Sequence, residues 1–141
     1  MACSMLNRSY DRHGVKEVSL TLSGTTESGK YFTEIIYRSS GKVEKTTRDF
    51  KPDGSVKENS VRHGNVSKEE FQKIEDAVIK NNFFAKPDLP SPGSRQMLKV
   101  VTADGVKLVD QYSTGDTEIL AVSGAISGAK IAWDGPPKNL N

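Results

Sequence analysis

His63 is the first residue to weigh, because an imidazole is the side chain most able to move a proton near neutral pH. It stands in Arg62-His63-Gly64. A nucleophile–base system also needs a Ser or Cys beside the ring and a carboxylate to orient it. No serine of the chain lies in a Gly-x-Ser-x-Gly elbow, so His63 reads as a turn residue. Residues 24–30, Gly24-Thr25-Thr26-Glu27-Ser28-Gly29-Lys30, have the G-x-x-x-x-G-K spacing of a phosphate-binding loop. That loop needs Ser or Thr next, to hold magnesium, and a helix N-terminus to present amides to phosphate. Tyr31 follows instead, and strand formers follow it. The segment is expected to be a hairpin loop. The densest acids, Glu69-Glu70 and Glu75-Asp76, are expected on the solvated side of a helix, and Asp53, Asp104 and Asp134 each precede Gly as turn residues. Arg38, Lys42, Lys45, Arg48 and Lys51 form a basic run near Tyr31, Tyr37 and Phe50, the mixture that suits single-stranded nucleic acid. Glu44 and Asp49 interrupt it, and no nucleic-acid partner is expected.

Composition narrows the field further. The chain has 141 residues, 35% hydrophobic and 27% charged, with a net charge of +2. One domain with a modest core follows, and neither a polybasic nucleic-acid binder nor a polyacidic tail is consistent with that balance. One cysteine excludes an internal disulfide and a Cys-based zinc cluster, and two histidines leave little for a His-rich metal site. No catalytic set, metal or cofactor is expected. No apolar run approaches the roughly 20 residues that span a bilayer.

The elements that would position these residues follow from periodicity. Val18, Leu20 and Leu22 alternate with polar residues and predict a strand over 16–23. Residues 31–38, 43–50 and 55–62 read as three more, with Asp53-Gly54 as a tight turn. Ser67 and Glu70 form a capping box that opens a helix carrying Phe71, Ile74 and Val78 on one side, with Glu69, Gln72, Lys73, Glu75 and Asp76 facing water. Phe83-Phe84 should pack onto the core, and a proline-rich loop spans 86–94. Residues 97–102 and 106–112 flank Asp104-Gly105 as a hairpin. A second helix over 117–132 carries Ile119, Val122, Ile126 and Ala129, with small residues at spacing four that allow close approach to a sheet, and Trp133 caps the core at its end. Strands, helix, hairpin, helix is an α+β order: an antiparallel sheet of about six strands with two helices packed on one face. Residues 1–15 are expected as a flexible leader, 16–133 as the domain and 134–141 as a flexible tail.

Ala2-Cys3-Ser4 is what remains at the cleavage point of a bacterial lipoprotein signal, where the cysteine bears lipid. Tyr37-Arg38-Ser39-Ser40-Gly41 after a strand, Asp53-Gly54 in a turn, Val66-Ser67-Lys68-Glu69-Glu70 opening a helix, Asn82-Phe83-Phe84, a proline-rich loop, a hairpin and a closing helix complete the pattern. Over roughly 18–133 this plan resembles the emfourin-like family, small bacterial secreted or lipoprotein domains that include a proteinaceous inhibitor of protealysin-type zinc metalloproteases. Arg38-Ser39-Ser40-Gly41-Lys42 corresponds to an Arg-Ser-Gly-Gly-Phe segment of that pattern, with Lys42 in place of Phe and a strand added before it. The resemblance implies a non-enzymatic, exported protein-binding domain, periplasmic or in the cell envelope. Arg38, Ser39, Ser40, Gly41, Lys42 and Val43 would contact the partner, a metalloprotease in the specific form, and lipid on Cys3 would be the one link to a membrane. A monomer is expected. Two other readings stand beside it: a structural envelope lipoprotein, and a small enzyme with a site near His63.

Overall fold

Apolar alternation builds a sheet with one wet and one dry face, and the chain begins that pattern at once. A computed structural model describes residues 9–88, 96–110 and 116–140. Strand β1 (Val15–Thr26) pairs antiparallel with β2 (Gly29–Arg38), β2 with β3 (Lys42–Phe50), and β3 with β4 (Val56–Asn65). On the other side of β1 lies β5 (Gln96–Thr102), hairpinned to β6 (Gly105–Asp110) through Ala103-Asp104. Two short strands, β7 (Ala132–Trp133) and β8 (Lys138–Asn139), both pair with β4. The order is β6-β5-β1-β2-β3-β4-β7, with β8 also on β4. The sheet has eight strands, not six, because a two-residue strand has no period to read.

Helices α1 (Lys68–Lys80) and α2 (Thr117–Ser127) cover one face. That face presents Val18, Leu20, Tyr37, Val43, Leu98, Val100 and Val109, all buried against Phe71, Ile74, Val78, Ile119, Val122 and Ile126. Register explains the choice: Val18 lies opposite both Tyr37 and Val100, and Leu20 opposite both Ile35 and Leu98, so opposed residues stack on one side of the pleat. The Tyr37 hydroxyl crosses from sheet to helix and donates to the Ile126 carbonyl at 2.8 Å. Burial, with the nearby charge of Glu70, pushes its pKa up to about 12.

The helix ends are set by caps. Ser67 accepts from the Glu70 amide at 3.1 Å. Asp116 accepts from the amides of Glu118 and Ile119, and the Ile119 bond first of all holds its carboxyl below the usual range. Lys86 reaches both Asp116 and Glu118. Helix α2 stops at Ser127, shorter than expected, because Gly128 serves as its C-cap. Its small residues do not meet the sheet: Gly124 is exposed, and a Cβ there would touch nothing within 4 Å. Trp133 caps no helix end; it lies in β7 opposite Gly64, with the Arg62 guanidinium 4.6 Å from its ring centre. A Cβ on Gly64 would come within 2.9 Å of that ring and of Ile131, and 2.8 Å from the Ala132 carbonyl.

Glu75 overturns another expectation. It does not face water; it is fully buried. Its carboxylate accepts from the backbone amides of Arg12, His13 and Val15 at 2.7, 2.8 and 3.2 Å. The Gln72 amide donates to the Tyr10 carbonyl, and Arg12 pairs with Asp76. From Tyr10 onward the leader segment is thus strapped to α1, and Val15 is wholly buried. At the other end, residues 134–140 follow β4, with Leu140 donating its amide to the Asn59 carbonyl.

Candidate functional site

The segment that sequence points to, Arg38 to Val43, is the turn between β2 and β3. The Gly41 amide donates to the Arg38 carbonyl at 2.8 Å, which closes the turn tightly. Gly41 has φ +91, and a Cβ there would lie 2.6 Å from the Tyr10 ring, so only glycine satisfies both backbone and neighbour. The Tyr10 amide donates to the Ser39 carbonyl at 2.6 Å. Gly41 is buried and Val43 is 1% exposed in the core. Ser40 and Lys42 are exposed, and Ser39 is partly so. Arg38 points to the helix-free face, 3.5 Å from Glu17 and 3.9 Å from Glu44, and Glu17 also meets Lys99 at 3.8 Å. The accessible groups of this end are therefore Arg38, Ser40 and Lys42, on a turn fixed by the Tyr10 strap.

His63 is exposed in β4, opposite Glu44. With Asp134 and Lys138 it borders a cleft of about 440 Å³. His13 lies 3.9 Å from Asp76 at the strap, on a different element. Cys3 lies outside the described residues, as do most of the proline-rich loop and Tyr112. Among the described residues, no three His, Cys, Asp or Glu side chains gather into a metal-sized cluster, and no helix is long and apolar enough to cross a membrane.

The phosphate-loop look-alike has a different physical purpose. Strand β1 runs on through Thr26, and the hairpin turns on Glu27-Ser28. Gly24 lets Tyr31 lie against the backbone, since a Cβ would sit 2.7 Å from its hydroxyl. Gly29, at φ +121, backs directly onto β3; a Cβ would be 1.8 Å from the Phe50 carbonyl oxygen. The two glycines bring the tips of the β1–β2 and β3–β4 hairpins together. Two depressions of about 560 and 520 Å³ meet there, sharing Thr25, Lys30 and Phe50. Tyr31, Phe32 and Phe50 stand at these tips outside the core. Sequence reasoning placed all three but gave the tips no site; the signal was three aromatics and three cations within 30–51 at a stretch with no apolar helix partner.

Strand parity sorts the charges at this end. Phe32 lies opposite Arg48, and Lys30 opposite Phe50, on the helix-free face. Asp49 lies opposite Tyr31 and Glu58, on the other face. The Arg48 guanidinium sits 5.7 Å from the Phe32 ring centre. Asp53 turns back on itself: its carboxylate accepts from the Ser55 hydroxyl and amide, which hold it ionised below the usual carboxylate range. Glu34, one pleat further along β2, accepts from the Thr21 hydroxyl at 3.2 Å. No protein-family model and no curated protein matches this sequence.

Proposed function

We propose that this chain is a non-enzymatic protein-binding domain of the bacterial cell envelope, exported, and in its specific form an inhibitor of a zinc metalloprotease. The observation that supports a recognition role is the one-sided sheet. Helices cover one face, while the other face, from β6 across to β4, carries no described element and ends in the rigid Arg38–Val43 turn. Recognition commonly sits on turns held by a rigid scaffold. The turn offers a cation, Lys42, and a hydroxyl, Ser40, with Arg38 held at its root by Glu17 and Glu44. Lipid on Cys3 would tether the domain to a membrane.

The test is inhibition of a thermolysin-like protease by purified protein. Saturable inhibition at micromolar protein is expected, and Arg38→Ala with Lys42→Ala should weaken it at least tenfold. Absence of inhibition removes the protease form and leaves a structural envelope lipoprotein as the competing reading. Full potency in the double variant moves the contact away from this turn.

A further inference from the structure

Aromatic side chains usually go where they bury most area, and this molecule has room for them under its helices. Tyr31, Phe32 and Phe50 are instead gathered at the hairpin tips, with Tyr31 37% exposed. The strands carry them roughly 30 Å from the Arg38–Val43 turn, at about 3.3 Å per residue along the ten residues of β2. The tips are thus a separate place on the molecule, not an extension of the turn.

On the helix-free face of those tips, Lys30 and Arg48 are exposed and flank Phe32 and Phe50. Neither cation is in an ion pair with a described residue. The nearest acids are already engaged, Asp53 with Ser55 and Glu34 with Thr21. Asp49 and Glu58 belong to the opposite face. Arg48 already lies over Phe32, so its charge is oriented and less of its rotamer freedom remains to be lost on binding. Two depressions of useful size meet at Lys30 and Phe50. Positive charge beside exposed aromatic surface calls for a ligand with negative charge beside an apolar side chain.

We propose that this face binds an acidic segment of a partner protein, its carboxylates on Lys30 and Arg48 and an apolar side chain on Phe32 and Phe50. A nucleic acid fits less well. Each phosphate neutralised adds only about 0.7 to the salt slope for a single strand, and two cations on a face cannot hold a backbone at physiological salt. A bilayer fits less well too, because the face carries Glu34 and Thr46 beside the cations. The site stands whether or not a protease is inhibited at the far turn.

The experiment uses the 15N-labelled full chain and three probes. One is an acetylated octapeptide of alternating Glu and Phe; the second replaces each Glu with Gln; the third is a thymidine octanucleotide. Vesicles with one-third anionic lipid serve in a parallel sedimentation assay. The Glu-Phe peptide should shift amides within 23–32 and 46–54 and leave those of 38–43 in place. Its affinity should fall at least fivefold from 50 to 200 mM salt, and at least tenfold in Lys30→Glu/Arg48→Glu. Both positions are exposed, so amide dispersion should be unchanged; Lys30→Gln/Arg48→Gln serves as the milder variant. Equal binding of the Gln-Phe peptide, shifts scattered over the sheet, or tighter binding of oligonucleotide or vesicle would each overturn the proposal. Protease inhibition measured on the same variants separates the two readings, since the tip variants should leave it intact.

Discussion

Replacing Glu75 with Gln should loosen residues 10–15 without disturbing the sheet behind them. The wild-type carboxylate offers Oε1 to the Arg12 amide and Oε2 to those of His13 and Val15. An amide offers only one oxygen. In its better orientation that oxygen keeps His13 and Val15, and its NH2 then faces the Arg12 N–H, donor against donor. One orphaned buried donor costs about 1–3 kcal/mol. The two bonds that remain fall from charge-assisted to neutral, roughly 1 kcal/mol each. Against this, Gln spares the cost of burying a charge. The net expectation is a loss of about 2–4 kcal/mol in urea unfolding with an unchanged m-value. Amide exchange at residues 12, 13 and 15 should accelerate far more than at Val18 or Leu98. A loss under about 0.5 kcal/mol with unchanged exchange at those three amides would refute the assignment of Glu75 as the anchor of the strap.

Three further outcomes follow from other elements. Asp116→Ala removes the N-cap of α2 and one of the two acids that Lys86 holds, so a loss of about 1 kcal/mol is expected, read as a fall of about 3–5 °C in the melting temperature by circular dichroism. Tyr37 has its pKa raised from about 10 to about 12 by burial; the neutral form is favoured when folded, so its stabilising share is complete below pH 10 and is lost as pH rises toward 12. Ultraviolet titration should show one late tyrosinate whose appearance coincides with unfolding, and Tyr37→Phe should flatten that limb. Gly64→Ala places a methyl within 2.8–2.9 Å of Ala132, Ile131 and Trp133; tryptophan fluorescence should report a displaced β7 before the rest of the sheet melts, and an unchanged spectrum would show that the contact yields freely.

Legibility tracked the kind of force involved. Alternation at Val18, Leu20 and Leu22, the Ser67 capping box and the Asp104-Gly105 turn are local, and the sequence displays them in adjacent letters. The α+β order and the helix-covered face came from such patterns. The Tyr10–Val15 strap was unreadable because its bonds come from backbone amides to one carboxylate 60 to 63 positions away. The same blindness put Glu75 in water: helical spacing marks a face, but not whether another segment lies over it. Residues 24–26 looked like loop because the sheet there needs no apolar residues, its helices lying elsewhere. Arg38, Ser40 and Lys42 were found as surface residues of a turn, whereas the burial of Gly41 and Val43 needed the third dimension. At the tips, the glycines were visible and their reason was not, because only the folded chain brings Phe50 against Gly29.

Strand β4 waits a long time for its outer neighbour. Asn65 meets Asp134 across 69 positions of chain, which a ribosome adds in about 3–14 s at 5–20 residues per second. Through that interval the edge of β4 is bare on the nascent polypeptide, and its first half, Val56-Lys57-Glu58, is charged and exposed. Lysine and glutamate there act as gatekeepers during synthesis, when nothing else discourages one emerging chain from zipping onto another.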